Sequence, residues 1–273
     1  MTATATVPTR PVLPGSASLP HIIRAEWRKF RTVRSTYWSL LALIVLGIGL
    51  SALISAAASN HYANSSPSDK AQWDPTSISQ AGFGLAQLAL GVLGVLIMSS
   101  EFSTGSIQTT LAAVPRRTPV LAAKAIVFGL VALVVGEVLA FIAFFVGQSI
   151  IKGNAPSVTI GDHDVLRAVV GSGLYAAVLG VLALSIATIV RNTAFGIVIL
   201  VLLLYVLPGV SAALPGNIEH TVEKFWPTQA GGQITDVYRN AHTLSPWAGL
   251  AWFAIFTAII YAIGAITLRT RDV

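Results

Sequence analysis

The order of apolar and polar positions divides the chain into long greasy runs joined by short polar ones. Five stretches carry no charged side chain for 22 residues or more: Tyr37 to Ala58, Pro75 to Ser100, Ala168 to Val190, Asn192 to Ile218 and Asn240 to Leu268. A sixth, Ala125 to Ile151, is interrupted only by Glu137. At about 1.5 Å rise per residue, each run reaches across a hydrocarbon core about 30 Å thick. Barrel strands would instead alternate in pieces of roughly 10 residues, and unbroken apolar helices satisfy their own backbone hydrogen bonds. The pattern predicts an all-α, polytopic membrane protein with six transmembrane helices over residues 37–273.

The flanks of these runs predict further pieces. Residues 1–18, MTATATVPTRPVLPGSAS, are rich in Thr, Ala and Pro without helical period, and read as a disordered cytoplasmic tail. A cleaved signal peptide is disfavoured, because the first apolar run and the region before it are both long for one. Residues 19–36 read as a helix, with Ser18 near its N-cap and Pro20 in its first turn. Ile23, Trp27, Phe30 and Val33 share one face, and Arg24, Arg28, Lys29, Arg31 and Arg34 cover the rest. That is the pattern of a basic amphipathic helix lying on the inner membrane surface among anionic lipids, and equally that of a plain juxtamembrane anchor. The long connection 214–245, with Pro215-Gly216, Trp226-Pro227 and Gly231-Gly232, reads as short helices at the outer leaflet.

Composition agrees, with 54% apolar and 10% charged residues and a mean hydropathy of +0.74. Charge then sets the orientation. Residues 1–36, 101–124, 191 and 269–273 hold twelve Lys or Arg, whereas the opposite loops hold five, beside seven of the eleven carboxylates. That bias puts both termini in the cytoplasm of a cell-membrane protein. The net charge of +6 follows from this spread along membrane flanks and gives no nucleic-acid-binding patch. With no cysteine in the chain, disulfides, thiolate metal sites and cysteine nucleophiles are excluded.

Little in the chain has the spacing of a catalytic site. None of the lysines at 29, 70, 124, 152 and 224 follows a glycine, so there is no phosphate-binding loop and no nucleotide or metal cofactor is expected in this chain. Asp162-His163-Asp164 and Glu219-His220 with Glu223 offer ligand types but no known ligand spacing, and Asp162 or Asp164 is well placed to cap the fourth span. Gly171-Ser172-Gly173 lies inside an apolar helix, where small residues let helices approach closely. Glu137 is the sharpest single residue, an ionisable group at mid-membrane, which makes it a candidate for substrate contact, proton coupling or a polar helix contact.

One polar segment breaks the pattern, from Ser99 to Lys124. Ser103 or Thr104 can cap a new helix, the uncharged run from Ser106 to Val114 is moderately helical, and Pro115 ends it. Arg116 and Arg117 meet the inner surface, and Thr118 with Pro119 can open the third span. The segment reads as helix, short cytoplasmic cross-piece at about 103–114, helix.

These residues resemble a known family. Glu101-Phe102-x-x-Gly105-x-Ile107, then Leu111-Ala112-x-x-Pro115-Arg116-Arg117 and Ala123-Lys124, is similar to the segment between the second and third spans of ABC type-2 permeases. Glu26-Trp27-x-Lys29-x-Arg31-x-x-Arg34-Ser35-Thr36 before the first span resembles the same family. So does Leu244-Ser245-Pro246-Trp247-Ala248-Gly249, with Leu268-Arg269-x-Arg271-Asp272 at the end. The resemblance implies a coupling helix that docks on a separate cytoplasmic ABC ATPase through Glu101, Phe102, Gly105, Ile107, Leu111, Pro115, Arg116 and Arg117. It implies an interfacial connecting helix with Trp27, Arg28, Lys29, Phe30, Arg31 and Arg34, and external helices within 214–245. ATP and Mg would sit on two copies of the ATPase, and a second permease, identical or different, would complete a dimer whose interface carries efflux. The cargo expected is an amphiphilic small molecule such as an antibiotic or a lipid. The alternative is an ion- or proton-coupled secondary transporter in which Glu137 is the coupling group.

Overall fold

A computed structural model describes residues 18–32, 34–114, 116–211, 216–238 and 242–271. Most of the tail 1–18, together with Val33, Pro115, Pro215, Arg239 and Asp272, lies outside the described residues, as do the side chains of Arg34 and Glu219. Among the described residues all regular structure is helical, and six segments are long and apolar enough to cross a membrane.

The first apolar run becomes α2 (Arg34–Tyr62), preceded by α1 (Leu19–Thr32). The second run does not form one helix. Asp74 caps a separate short helix α4 (Pro75–Ser79), accepting from the N–H groups of Thr76 and Ser77 at 2.9 and 3.1 Å, and α3 (Pro67–Ala71) comes before it. The chain then passes through Gly82 into α5 (Phe83–Ser103). Gly82 abuts α2 so closely that a β-carbon there would run into the Gly47 carbonyl, and its N–H donates to Ser51 Oγ at 2.9 Å. That contact fixes the entry of the second span against the first.

After α6 (Ser106–Ala113), the third span α7 (Arg117–Ile151) starts well before the apolar run does, taking the polar stretch 117–124 into its first two turns. The fourth span, α8 (Val165–Val190), begins after Asp164, which has a positive φ of 65° and no side-chain cap bond; its carboxylate instead meets Arg167. Asp162, the other capping candidate, accepts from the Thr159 N–H at 2.7 Å. The fifth span contains α9 (Thr193–Val201), one π-helical turn at Leu202–Val206, and α10 (Leu207–Ser211). Pro208 explains the turn, since it has no N–H to give and its ring crowds the preceding carbonyls. The Leu203 carbonyl is satisfied instead from outside the helix, by Trp226 Nε1 and Thr228 Oγ1, each at 2.9 Å. These two donors flank the junction of α11 (Gly216–Phe225) and α12 (Pro227–Gly232), so the long loop folds back onto the fifth span. The sixth span, α13 (Pro246–Thr270), starts at its proline.

The fourth span forms the centre. It packs against α5, α7 and α13, and its Leu179, Leu182, Ala183 and Leu184 are completely buried. The α7–α8 contact is close because Gly136 faces Ala176 and Gly173, and Gly180 faces Ala132 and Phe128. Within α8, Gly171 lies against Ile234 and Gly173 against Glu137, so these small residues serve packing. Toward the outside, α2 and α13 present bare apolar residues such as Trp38, Leu46, Leu53, Ile255 and Ile266. Such surface is stable only against lipid or another apolar chain. The start of α1, the turn between α5 and α7, and the end of α13 all meet on one face of the bundle. The α3–α4 segment, the α7–α8 connection and α11–α12 lie at the opposite face.

Candidate functional site

The face where α1, the turn between α5 and α7 and the end of α13 meet holds those of the resemblance-implied residues that are described, and its construction starts with a glycine. The α5 helix ends at Ser103, and the chain reverses into α6 through Gly105 at φ 70°, a left-handed conformation that any side chain would strain. Nothing lies within 4 Å of where its β-carbon would be, so the need for glycine here is conformational. Gly105, not Ser103 or Thr104, is therefore the N-cap of α6; Thr104 closes α5, its hydroxyl pairing with the Ser100 carbonyl at 2.8 Å and with Ser106 Oγ at 3.0 Å. Within α6, Ile107 is 1% exposed and belongs to the main core. Leu111 is half-buried against Ile22, Val120 and Ala123, which joins α6 to α1 and α7. Both apolar residues thus hold the helix down. The residues facing outward are Gln108, Thr109 and Ala112, an uncharged strip one helical turn long, with Ser103, Thr104 and Arg116 exposed beside it.

Beneath this turn sits a buried ion cluster. Lys124, 2% exposed, donates to Glu26 Oε2 at 2.7 Å and to Glu101 Oε1 at 2.6 Å. Lys29 also pairs with Glu101, and the second oxygen of Glu101 has no partner among the described residues. One ammonium therefore ties α1, the end of α5 and the start of α7 together. Buried charge is tolerated only when paired, and here two carboxylates meet two ammonium groups. The pairing also sets the roll of α1. Ile22 and Glu26 point inward, Ile23 and Phe30 are half-buried, and Trp27 stays exposed, stacked on Phe30 at 6.3 Å. Arg24, Arg28 and Arg31 are exposed, and Lys29 reaches across to the cluster.

A second set of contacts closes the face. The last carbonyls of α13 lack helical N–H partners, save that of Thr267, which accepts from the Arg271 N–H at 3.1 Å. Arg117 Nη1 donates to the carbonyls of Leu268 and Arg271 at 2.7 and 3.0 Å, and Arg191 Nη2 approaches those of Thr267 and Arg271 at 3.4 Å. The Arg191 guanidinium also lies 5.0 Å from the centre of the Phe102 ring, and Arg269 donates to Thr118 Oγ1 at 2.7 Å. Arg117 thus faces inward, whereas Arg116 faces solvent.

This arrangement has no nucleophile–base pair and, among the described residues, no group of three or more His, Asp or Glu that could hold a metal. What it offers is an exposed short helix packed and ion-paired against the ends of several spans. The model of a family described as ABC-2 family transporter protein matches residues 22–209. The chain belongs to the ABC-2 transporter family. A comparison with curated proteins finds no match. The matched region of this permease runs from the first turn of α1 to α10, and so contains Glu26, Lys29, Glu101, Lys124 and the whole of α6. All four cluster residues, Glu26, Lys29, Glu101 and Lys124, lie in motif stretches legible by resemblance, but their convergence does not follow from spacing. Glu26 is the one acidic residue in a helix of cations, and that oddity is the signal pointing to a buried partner.

Glu137 stands apart from this face. It lies within α7, partly buried over Gly173, and its Oε2 has no partner among the described residues.

Proposed function

We propose that the permease is the membrane subunit of an exporter driven by a separate cytoplasmic ABC ATPase, with α6 as the helix that the ATPase grips. The excess of cations on the face bearing the chain ends supports a cytoplasmic position for that face and for both termini in the cell membrane. The observation that carries the reading is the Glu26–Lys124–Glu101 cluster, which joins the end of α5, just before α6, to the middle of α1 and the start of α7. A push on the Gln108–Thr109–Ala112 strip would move those elements as one body and reach the spans without loss in a flexible loop. Hydrolysis of ATP with Mg belongs to the partner, two copies of which would serve a dimer of permeases. The bare apolar faces of α2 and α13 support burial against a second permease or lipid. An amphiphilic small molecule, an antibiotic or a lipid, is the cargo this reading favours.

Pull-down of an ATPase by the tagged permease, followed by export measured with an ATPase-dead partner, tests the reading. Co-purification with loss of export is expected; export that persists without hydrolysis overturns it. A second reading rests on Glu137, whose unpartnered carboxyl oxygen in the third span suits a gradient-coupled transporter. That reading expects transport by the purified permease alone, abolished in Glu137→Gln.

A further inference from the structure

At the face opposite the chain ends, a cavity of about 290 Å³ lies between the starts of α5 and α8, the fifth span and α12. Its polar lining includes Gln80, Gln87, Ser172, Gln229 and Asp236, with Phe83 and Tyr175 as an aromatic wall.

Gln80 is the decisive residue. It is 8% exposed, its Oε1 accepts from Ser172 Oγ at 2.7 Å, and its Nε2 has no partner among the described residues. Ser172 has a single hydroxyl proton and also lies 3.1 Å from the Ala168 carbonyl. If that proton goes to Ala168, the amide turns over, Nε2 donates to Ser172, and the carbonyl oxygen becomes the orphan. Either way one amide atom of a buried glutamine is left without a mate unless something fills the cavity.

The rest of the lining narrows the occupant. Among the described residues that line it there is one carboxylate and no cation, so an anionic group would face the Asp236 carboxylate. Arg167, the nearby cation, is engaged by Asp164 and by the carbonyls of Ile234 and Asp236. An ammonium would suit Asp236 but cannot accept from an amide nitrogen. A hydroxyl does both: it donates to a carboxylate and either donates to or accepts from Gln80, whichever way the amide is turned. Gln87, whose Nε2 donates to the Tyr205 hydroxyl over a long 3.5 Å, and Gln229 add further donor–acceptor pairs. Phe83 and Tyr175, 6.5 Å apart edge to face, offer an apolar surface to the carbon skeleton of such a ligand. The volume lies at the small end of ligand pockets, enough for a ring but not for a whole amphiphile.

We propose that this cavity, built on Gln80, Ser172, Gln87, Gln229, Tyr175 and Asp236, binds a neutral polyhydroxyl group, namely an uncharged sugar or polyol ring. The ring comes either free from solution or as the headgroup of a glycolipid, and the site needs neither ATP nor a partner. Its failure and the failure of the export reading are therefore separate results.

The full-length permease is placed in phosphatidylcholine nanodiscs, since a sugar-headed detergent would occupy the site. Methyl β-glucoside is the soluble probe, followed by saturation-transfer NMR. A monoglucosyl diacylglycerol in the disc is the lipid probe, followed by native mass spectrometry, with phosphatidylserine as the anionic control. Saturable binding of the soluble probe assigns the free source, and binding of the glycolipid alone assigns the lipid source. In either case Gln80→Leu weakens binding about tenfold, the loss of one buried hydrogen bond. Ser172 keeps its Ala168 acceptor in that variant, so the α8 helix is not disturbed. Gln229→Ala reads the same site should Gln80→Leu fold poorly. No saturable binding of either probe, equal binding of phosphatidylserine, or binding unmoved by both variants overturns the proposal and leaves a cavity that holds water.

Discussion

Replacing Lys124 by methionine is the most informative change to the fold. The side chain is 1% exposed, and its two carboxylate partners, Glu26 and Glu101, are 10% and 5% exposed, so water screens the cluster little. At an effective dielectric of about 20, each ion contact of Lys124 contributes on the order of 6 kcal/mol. Burial of each ion costs several kcal/mol, so the intact cluster is worth little net. Deletion of the shared cation is different. It leaves two carboxylates that both lay within 2.7 Å of one nitrogen, with only Lys29 to serve Glu101. The expected loss is about 3–5 kcal/mol, the range for breaking a buried ion pair. For a chain of this size that lowers the melting temperature by about 10 °C, read by intrinsic fluorescence in nanodiscs. The methionine keeps the stem volume, so packing loss is small. Adding Glu26→Gln and Glu101→Gln to Lys124→Met removes the stranded charges and should recover most of the loss. A melting temperature for Lys124→Met within about 2 °C of the parent would refute the reasoning, as would a triple variant no better than the single.

Three further outcomes follow from particular contacts. Gly105→Ala imposes a left-handed conformation on a side chain in open space, so it should cost about 1–2 kcal/mol of stability without distorting neighbours, measured as a melting shift. Gly82→Ala drives a methyl into the Gly47 carbonyl between the first two spans, and should cost about 1–3 kcal/mol or more, with faster hydrogen exchange along α4 and the start of α5. The Asp236 carboxyl is pushed up from 3.8 to about 6, first by burial and then by Asp74, with Glu223 adding to the rise and Arg167 opposing it. Its folded value lies above its unfolded one, so its contribution to stability is complete below 3.8 and is lost as pH rises to about 6. The melting temperature should fall over that window in the parent and much less in Asp236→Asn.

The six spans are legible because a run of apolar residues long enough to cross a bilayer has few other uses. Their ends are less so. The charge-free run from Pro75 hides a break, because Asp74 caps a helix of its own and Gly82 is held against the first span, and neither act alters hydropathy. The run from Asn192 hides a π turn whose acceptor is satisfied from residues 23 and 25 positions on. Ile107 and Leu111 are readable as apolar marks in a polar segment, but a pattern cannot say whether they face a partner or the core. They face the core, and the outward strip is the polar Gln108 and Thr109 with Ala112. The Glu26–Lys124 pair spans 98 positions of sequence, a separation at which spacing carries no information.

The central claim is that α6 is gripped by an ATPase, and the absence of cysteine from the chain makes it directly measurable. Single cysteines at Gln108 or Thr109, on the exposed strip, and at Asn60, on the opposite face, are treated with a short thiol cross-linker in membranes holding the ATPase. The account predicts a permease–ATPase adduct from positions 108 and 109 and none from position 60. An adduct from position 60, or none from the α6 strip while the ATPase still co-purifies, would contradict it.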